Sequence, residues 1–203
     1  ARGARCIARE LAALLPEGDA PVLVVGLGNR DVTPDALGPR VVSNIEITRH
    51  MIREYGRAAL EGKRANEVSS LVPGVMAQTG METLEIIKGV VEETRPDVVL
   101  VIDALAARNT RRLSRTIQIS DTGINPGSGV GNHRNGINKE ALGVPVISIG
   151  VPTVVDAATI VGDTMEEMVE TLDSSGKVRG FGGALGTLNR VEKQQMIRHA
   201  KKI

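Results

Sequence analysis

Apolar residues recur along the chain in two rhythms, and their alternation predicts the architecture. Residues 4–15 carry Ile7, Leu11, Leu14 and Leu15 at helical spacing, and Pro16 closes that helix. A continuous apolar run at 21–25 follows and stops at the glycines Gly26 and Gly28. Such a run fits a strand buried on both faces. A second helix is predicted from 36 to about 45, with a weaker pattern as far as 55. Residues 56–73 are polar, rich in Arg, Lys and Glu, and read as a loop. Helical spacing returns over 79–94, where Met81, Leu84, Ile87, Val90 and Val91 share one side. Residues 98–102 are all aliphatic and form the clearest buried strand, expected to end at Asp103. Further strands are predicted at 116–119 and 144–149, and a helix at 156–172 with Glu166, Glu167 and Glu170 outward. Helices alternating with doubly buried strands predict an α/β fold on a mainly parallel sheet.

Composition narrows the function classes. With 203 residues, 41% hydrophobic and 24% charged, the chain is expected to fold as one sizeable domain. No stretch approaches roughly 20 uninterrupted apolar residues, so no segment reads as a membrane-spanning helix. Arg2, Arg5 and Arg9 interrupt any apolar region of a signal peptide. A net charge of +1 offers no electrostatic case for a dedicated nucleic-acid binder. Tyr55 and Phe181 are the only aromatic residues, too few for a base-stacking platform. The single cysteine, Cys6, excludes an intrachain disulfide, suits a reducing cytoplasm and falls on the first helix in a pattern that reads as core.

In parallel sheets, reacting groups gather beyond the carboxyl ends of the strands. That rule singles out Asp35, in the loop after the first strand, and Asp103, at the end of the most apolar one. If those strands are neighbours, the two carboxylates share a crevice. Close together they cannot both ionise, so the pair holds one proton and can supply an acid and a base. Asp35 also reads as a helix cap, and Asp103 as a partner for amides at a strand end. Other motifs are weaker. The turn at Gly26 and Gly28 lacks the third glycine of a dinucleotide site. The loop at 127–132 (GSGVGN) lacks the Lys-Ser or Lys-Thr of a phosphate cradle, and Pro126 spoils a nucleophile elbow around Ser128. Its glycines fit a close approach to another chain. His50, His133 and His199 are scattered, and His133 is the one in a glycine-rich loop.

The wording of the segments is more specific than their spacing. GLGN at 26–29, VTPDALGP at 32–39, PGVMAQTGMET at 73–83 and IDALA at 102–106 occur in that order. DTGI at 121–124, PGSGVGN at 126–132, LGVPV at 142–146 and GVPTVVD at 150–156 follow. Together they closely resemble the germination proteases of spore-forming bacteria, over roughly residues 21–172. The resemblance implies a single peptidase domain over 1–203, a three-layer sandwich similar to hydrogenase maturation protease and phosphorylase-like folds. It implies an aspartic-type endopeptidase, with Asp35 and Asp103 as its catalytic pair and neither cofactor nor metal. The implied substrates are the small acid-soluble spore proteins, degraded in the cytoplasm of the spore core during germination. A zymogen that cleaves its own pro-segment, a homotetramer, and no direct contact with nucleic acid or membrane are also implied. Against the family pattern, residues before Ala1, near 172–180 and after Ile203 are expected to be missing. Asp31 lies outside the motif and reads as a loop residue, and His133 is left out of the site. Two other readings remain open: a metal-dependent maturation-type peptidase with Asp35, Asp103 and His133 as ligands, and a non-catalytic binder of nucleotides or anions at the glycine turns.

Overall fold

The computed structural model describes residues 2–16, 19–60, 66–127 and 135–175. Among these, five strands form one sheet: β1 (Val22–Gly26), β2 (Val68–Leu71), β3 (Val98–Ala107), β4 (Gln118–Ser120) and β5 (Val146–Val155). Their spatial order is β2-β1-β3-β5-β4, parallel throughout except for β4, which runs antiparallel to β5. The helices are α1 (Arg2–Leu14), α2 (Leu37–Val42), α3 (Arg49–Tyr55), α4 (Met76–Thr79), α5 (Thr83–Thr94), α6 (Lys139–Leu142) and α7 (Ala157–Ser175). The fold is therefore α/β with a mainly parallel sheet, as the sequence predicts.

Alternation along each strand divides the core between the two sheet faces. Leu23, Val25, Val99 and Val101 pack with Ile87 and Val91 of α5 and Leu142 of α6. Val22, Val24, Val98 and Ile102 pack on the other face with Val42 of α2, and Leu11 and Leu15 lean against them. Helices thus cover both faces, which is why β1 and the first half of β3, residues 98–102, carry no polar side chain.

Several boundaries differ from the sequence reading. The polar stretch 56–73 contains β2, a half-buried edge strand in parallel register with β1. The segment predicted as one helix from 79 is broken at Gly80, whose φ of 72° ends α4 before α5 begins. Cys6 is exposed rather than core. Most consequentially, β3 does not end at Asp103. Its pairing with β1 stops at Gly26 opposite Ile102, but its pairing with β5 continues to Ala107 opposite Val155. No helix among the described residues is long and apolar enough to cross a membrane.

Candidate active site

The strand order makes β1 and β3 neighbours, and the chain leaves them in opposite directions: from β1 outward to β2, from β3 toward β5 and β4. A crevice opens where connections diverge in this way, beyond the carboxyl ends of the strands. The cleft of about 380 Å³ found there is lined by both Asp35 and Asp103, with Gly28, Val75, Leu105 and Thr153 among its other walls.

Asp35 is carried by a single 3-10 turn, Thr33–Asp35, with Pro34 setting the backbone angle of its first residues. The turn is closed by the Asp35 amide donating to the Val32 carbonyl at 2.8 Å. The carboxylate is fixed in turn by the Asn29 amide, which donates to Oδ2 at 2.7 Å. Two glycines let this loop lie against the strand ends. A Cβ on Gly28 would fall 2.0 Å from the Asp35 carbonyl oxygen, and one on Gly38 2.3 Å from the Leu27 carbonyl and 2.6 Å from that of Ile102. The Gly26–Gly28 turn is therefore shaped by contact with the loop that carries Asp35 and Gly38.

Asp103 is the first residue of β3 beyond the β1 ladder, because the Leu27 amide donates to the Ile102 carbonyl at 2.8 Å and the pairing ends there. The residue is only 6% exposed, and Oδ1 accepts from the Ala104 amide at 2.9 Å. The two sequence-derived carboxylates thus arrive in one cleft from different elements, a turn and a strand overhang. Asp31 is exposed in the adjoining loop, and its amide donates to Asn29 Oδ1 at 3.0 Å. His50 is exposed on α3. Ser128, His133 and His199, with most of the glycine-rich loop, lie outside the described residues.

Thr83, Asn125 and Thr153 also line the cleft and were not legible as site residues. Thr153 sits at a register slip: Leu105 pairs with Pro152 and Ala106 with Val154, leaving Thr153 without a counterpart on β3. Its Oγ1 is buried and has no hydrogen-bond partner among the described residues. No spacing in the sequence announces a bulge of this kind; Gly150 and Pro152 nearby were its one signal.

Comparison with known proteins points in a single direction. A family model described as Germination protease matches residues 2–180. A germination protease of Caldanaerobacter subterraneus subsp. tengcongensis is 56% identical over 192 residues, covering 94% of this chain and 58% of the relative. That of Bacillus subtilis (strain 168) is 48% identical over 210 residues, covering 88% of this chain and 56% of the relative. The chain thus spans somewhat over half the length of these curated relatives. Among solved structures, the [NiFe] hydrogenase maturation protease HycI from Thermococcus kodakarensis KOD1 is similar with a TM-score of 0.42 and 18% identity, over 77% of this chain and 94% of that one.

Proposed function

The chain belongs to the germination protease family, and from that premise we propose that it is an endopeptidase that begins the degradation of small acid-soluble spore proteins during spore germination. The observation that carries the reading is the convergence of Asp35 and Asp103 on one cleft at the diverging ends of β1 and β3. Hydrolysis proceeds without a covalent intermediate. The ionised member of the pair takes a proton from a water molecule as its oxygen attacks the scissile carbonyl. The protonated member donates a hydrogen bond to the carbonyl oxygen, and the proton held by the base then passes to the leaving nitrogen. Two carboxyl groups on one cleft supply both roles at once. The substrate main chain lies extended along the wall formed by Ala104, Leu105 and Ala106.

The same premise extends to the setting: a zymogen activated by self-cleavage, assembled as a homotetramer in the spore core. Cleavage of a purified small acid-soluble spore protein near neutral pH tests the central claim. Asp35→Asn and Asp103→Asn are each expected to lower the rate ~10²–10⁴-fold, the usual contribution of general acid–base help. Cleavage is expected to persist in a strong chelator. Undiminished rates in either variant would overturn the assignment, and chelator-sensitive cleavage would recast the pair as metal ligands.

A further inference from the structure

Buried hydroxyls in folded proteins are almost always hydrogen-bonded, and each that is not calls for a specific explanation. Among the described residues Thr153 Oγ1 is such an exception, and three features surround it. It belongs to a residue lining the cleft that holds Asp35 and Asp103. It lies on the unpaired residue of a β-bulge, a device that re-aims a side chain and is common beside active sites. The bulge is also held open from outside the ladder: the Ser114 amide donates to the Pro152 carbonyl at 2.8 Å, and Ser114 adopts a left-handed φ of 53° to do so. If the position required only bulk, valine would fill it without burying a lone hydroxyl.

We propose that the Thr153 hydroxyl is a binding contact for the main chain of the bound peptide, hydrogen-bonded only when the cleft is occupied. The inference rests on the peptidase reading above and names a residue that binds rather than transfers protons. In the empty cleft, Oγ1 has almost no surface open to solvent, so the part of Thr153 facing the cavity comes from its other atoms. A rotation of about 120° to the next staggered χ1 position moves the hydroxyl without disturbing the backbone. A peptide amide or carbonyl then gives it the partner it lacks. Because the bulge sets Thr153 three residues beyond Gly150, the counterpart of Asp103 on β5, the contact falls to one side of the scissile bond and fixes the peptide's register against the carboxylates.

The test uses the whole 203-residue chain and a fluorescently labelled peptide copied from a small acid-soluble spore protein. Its affinity is measured in an Asp103→Asn background that does not turn it over. Adding Thr153→Val is expected to weaken binding about tenfold, the loss of one hydrogen bond, while Tm stays level or rises because no lone hydroxyl is buried. Thr153→Ser is expected to bind like the parent. Equal affinity of the Val and Thr forms, or no binding by either, would overturn the proposal. So would a lower Tm in Thr153→Val that Thr153→Ser restores, since the hydroxyl would then serve the fold. If the unmutated chain and Asp103→Asn cleave the peptide at the same rate, the carboxylate reading fails, and the affinity ratio still decides the role of Thr153.

Discussion

Gly28 adopts a φ of 113°, a conformation that side chains disfavour, and the Asp35 carbonyl oxygen stands 2.0 Å from where a Cβ would be. Gly28→Ala is therefore expected to damage stability and site together: the new Cβ must push the Asp35 turn away from the strand end. A lower Tm and a loss of cleavage much larger than the loss of folded protein would bear this out. Asp156 presents a gentler case. Its carboxylate accepts the Thr159 hydroxyl at 2.7 Å and the Thr159 amide at 2.8 Å, closing the first turn of α7. The side-chain bond from Thr159 is the main cause that holds its carboxyl below the ordinary aspartate value of 3.8. A carboxyl lowered in the folded state contributes stability above its unfolded value, and that contribution is lost as pH falls through the folded one. The difference in urea midpoint between the unmutated chain and Asp156→Ala is expected to be full at neutral pH and to close in acid. A gap that persists at low pH would show that the cap acts through its neutral form.

Among the elements, the most apolar ones were the most legible. β1 and the first half of β3 declare themselves because both faces are covered, so no polar residue interrupts them. α5 shows its stripe for the converse reason: one side meets the sheet and the other meets water. Its Ile87 is wholly buried among Leu23, Val99 and Val101, and Ile87→Ala is expected to cost about 2–5 kcal/mol in denaturant unfolding. A cost under 1 kcal/mol would mean that the neighbours collapse into the space. Three elements resisted reading. β2 is an edge strand with Ser69 and Ser70 at its centre, and its pairing with β1 is invisible to periodicity. The far halves of β3 and β5 contain Ala104, Ala106, Gly150 and Pro152, residues of low strand propensity that register with the neighbouring strand keeps extended. Gly150 does so by leaving room for Leu105, whose Cδ1 stands 2.2 Å from where a Cβ would be. Asp35 and Asp103 could be singled out because the apolar runs before them could, although β3 runs on past Asp103, whereas Thr153 depends on a slip between two strands that only the folded ladder displays.

At the scale of the molecule, the two hydrophobic clusters are joined through shared strands, since β1 and β3 contribute to both. Val24→Ala on one face and Ile87→Ala on the other are accordingly expected to shift one common unfolding transition, followed by circular dichroism. Separate transitions for the two variants would mean that the faces melt independently. The sheet also works as a ruler. β1 stops opposite Ile102 while its neighbour runs on for five residues, Asp103 to Ala107, of which Asp103 to Ala106 line the cleft. At ~3.3 Å per residue, the four that line the cleft span roughly 13 Å, the length of about four residues of extended peptide. On the peptidase reading proposed above, the stretch of extended substrate that this wall would grip is set by where β1 stops, and lengthening β1 by a single residue would shorten it by one step.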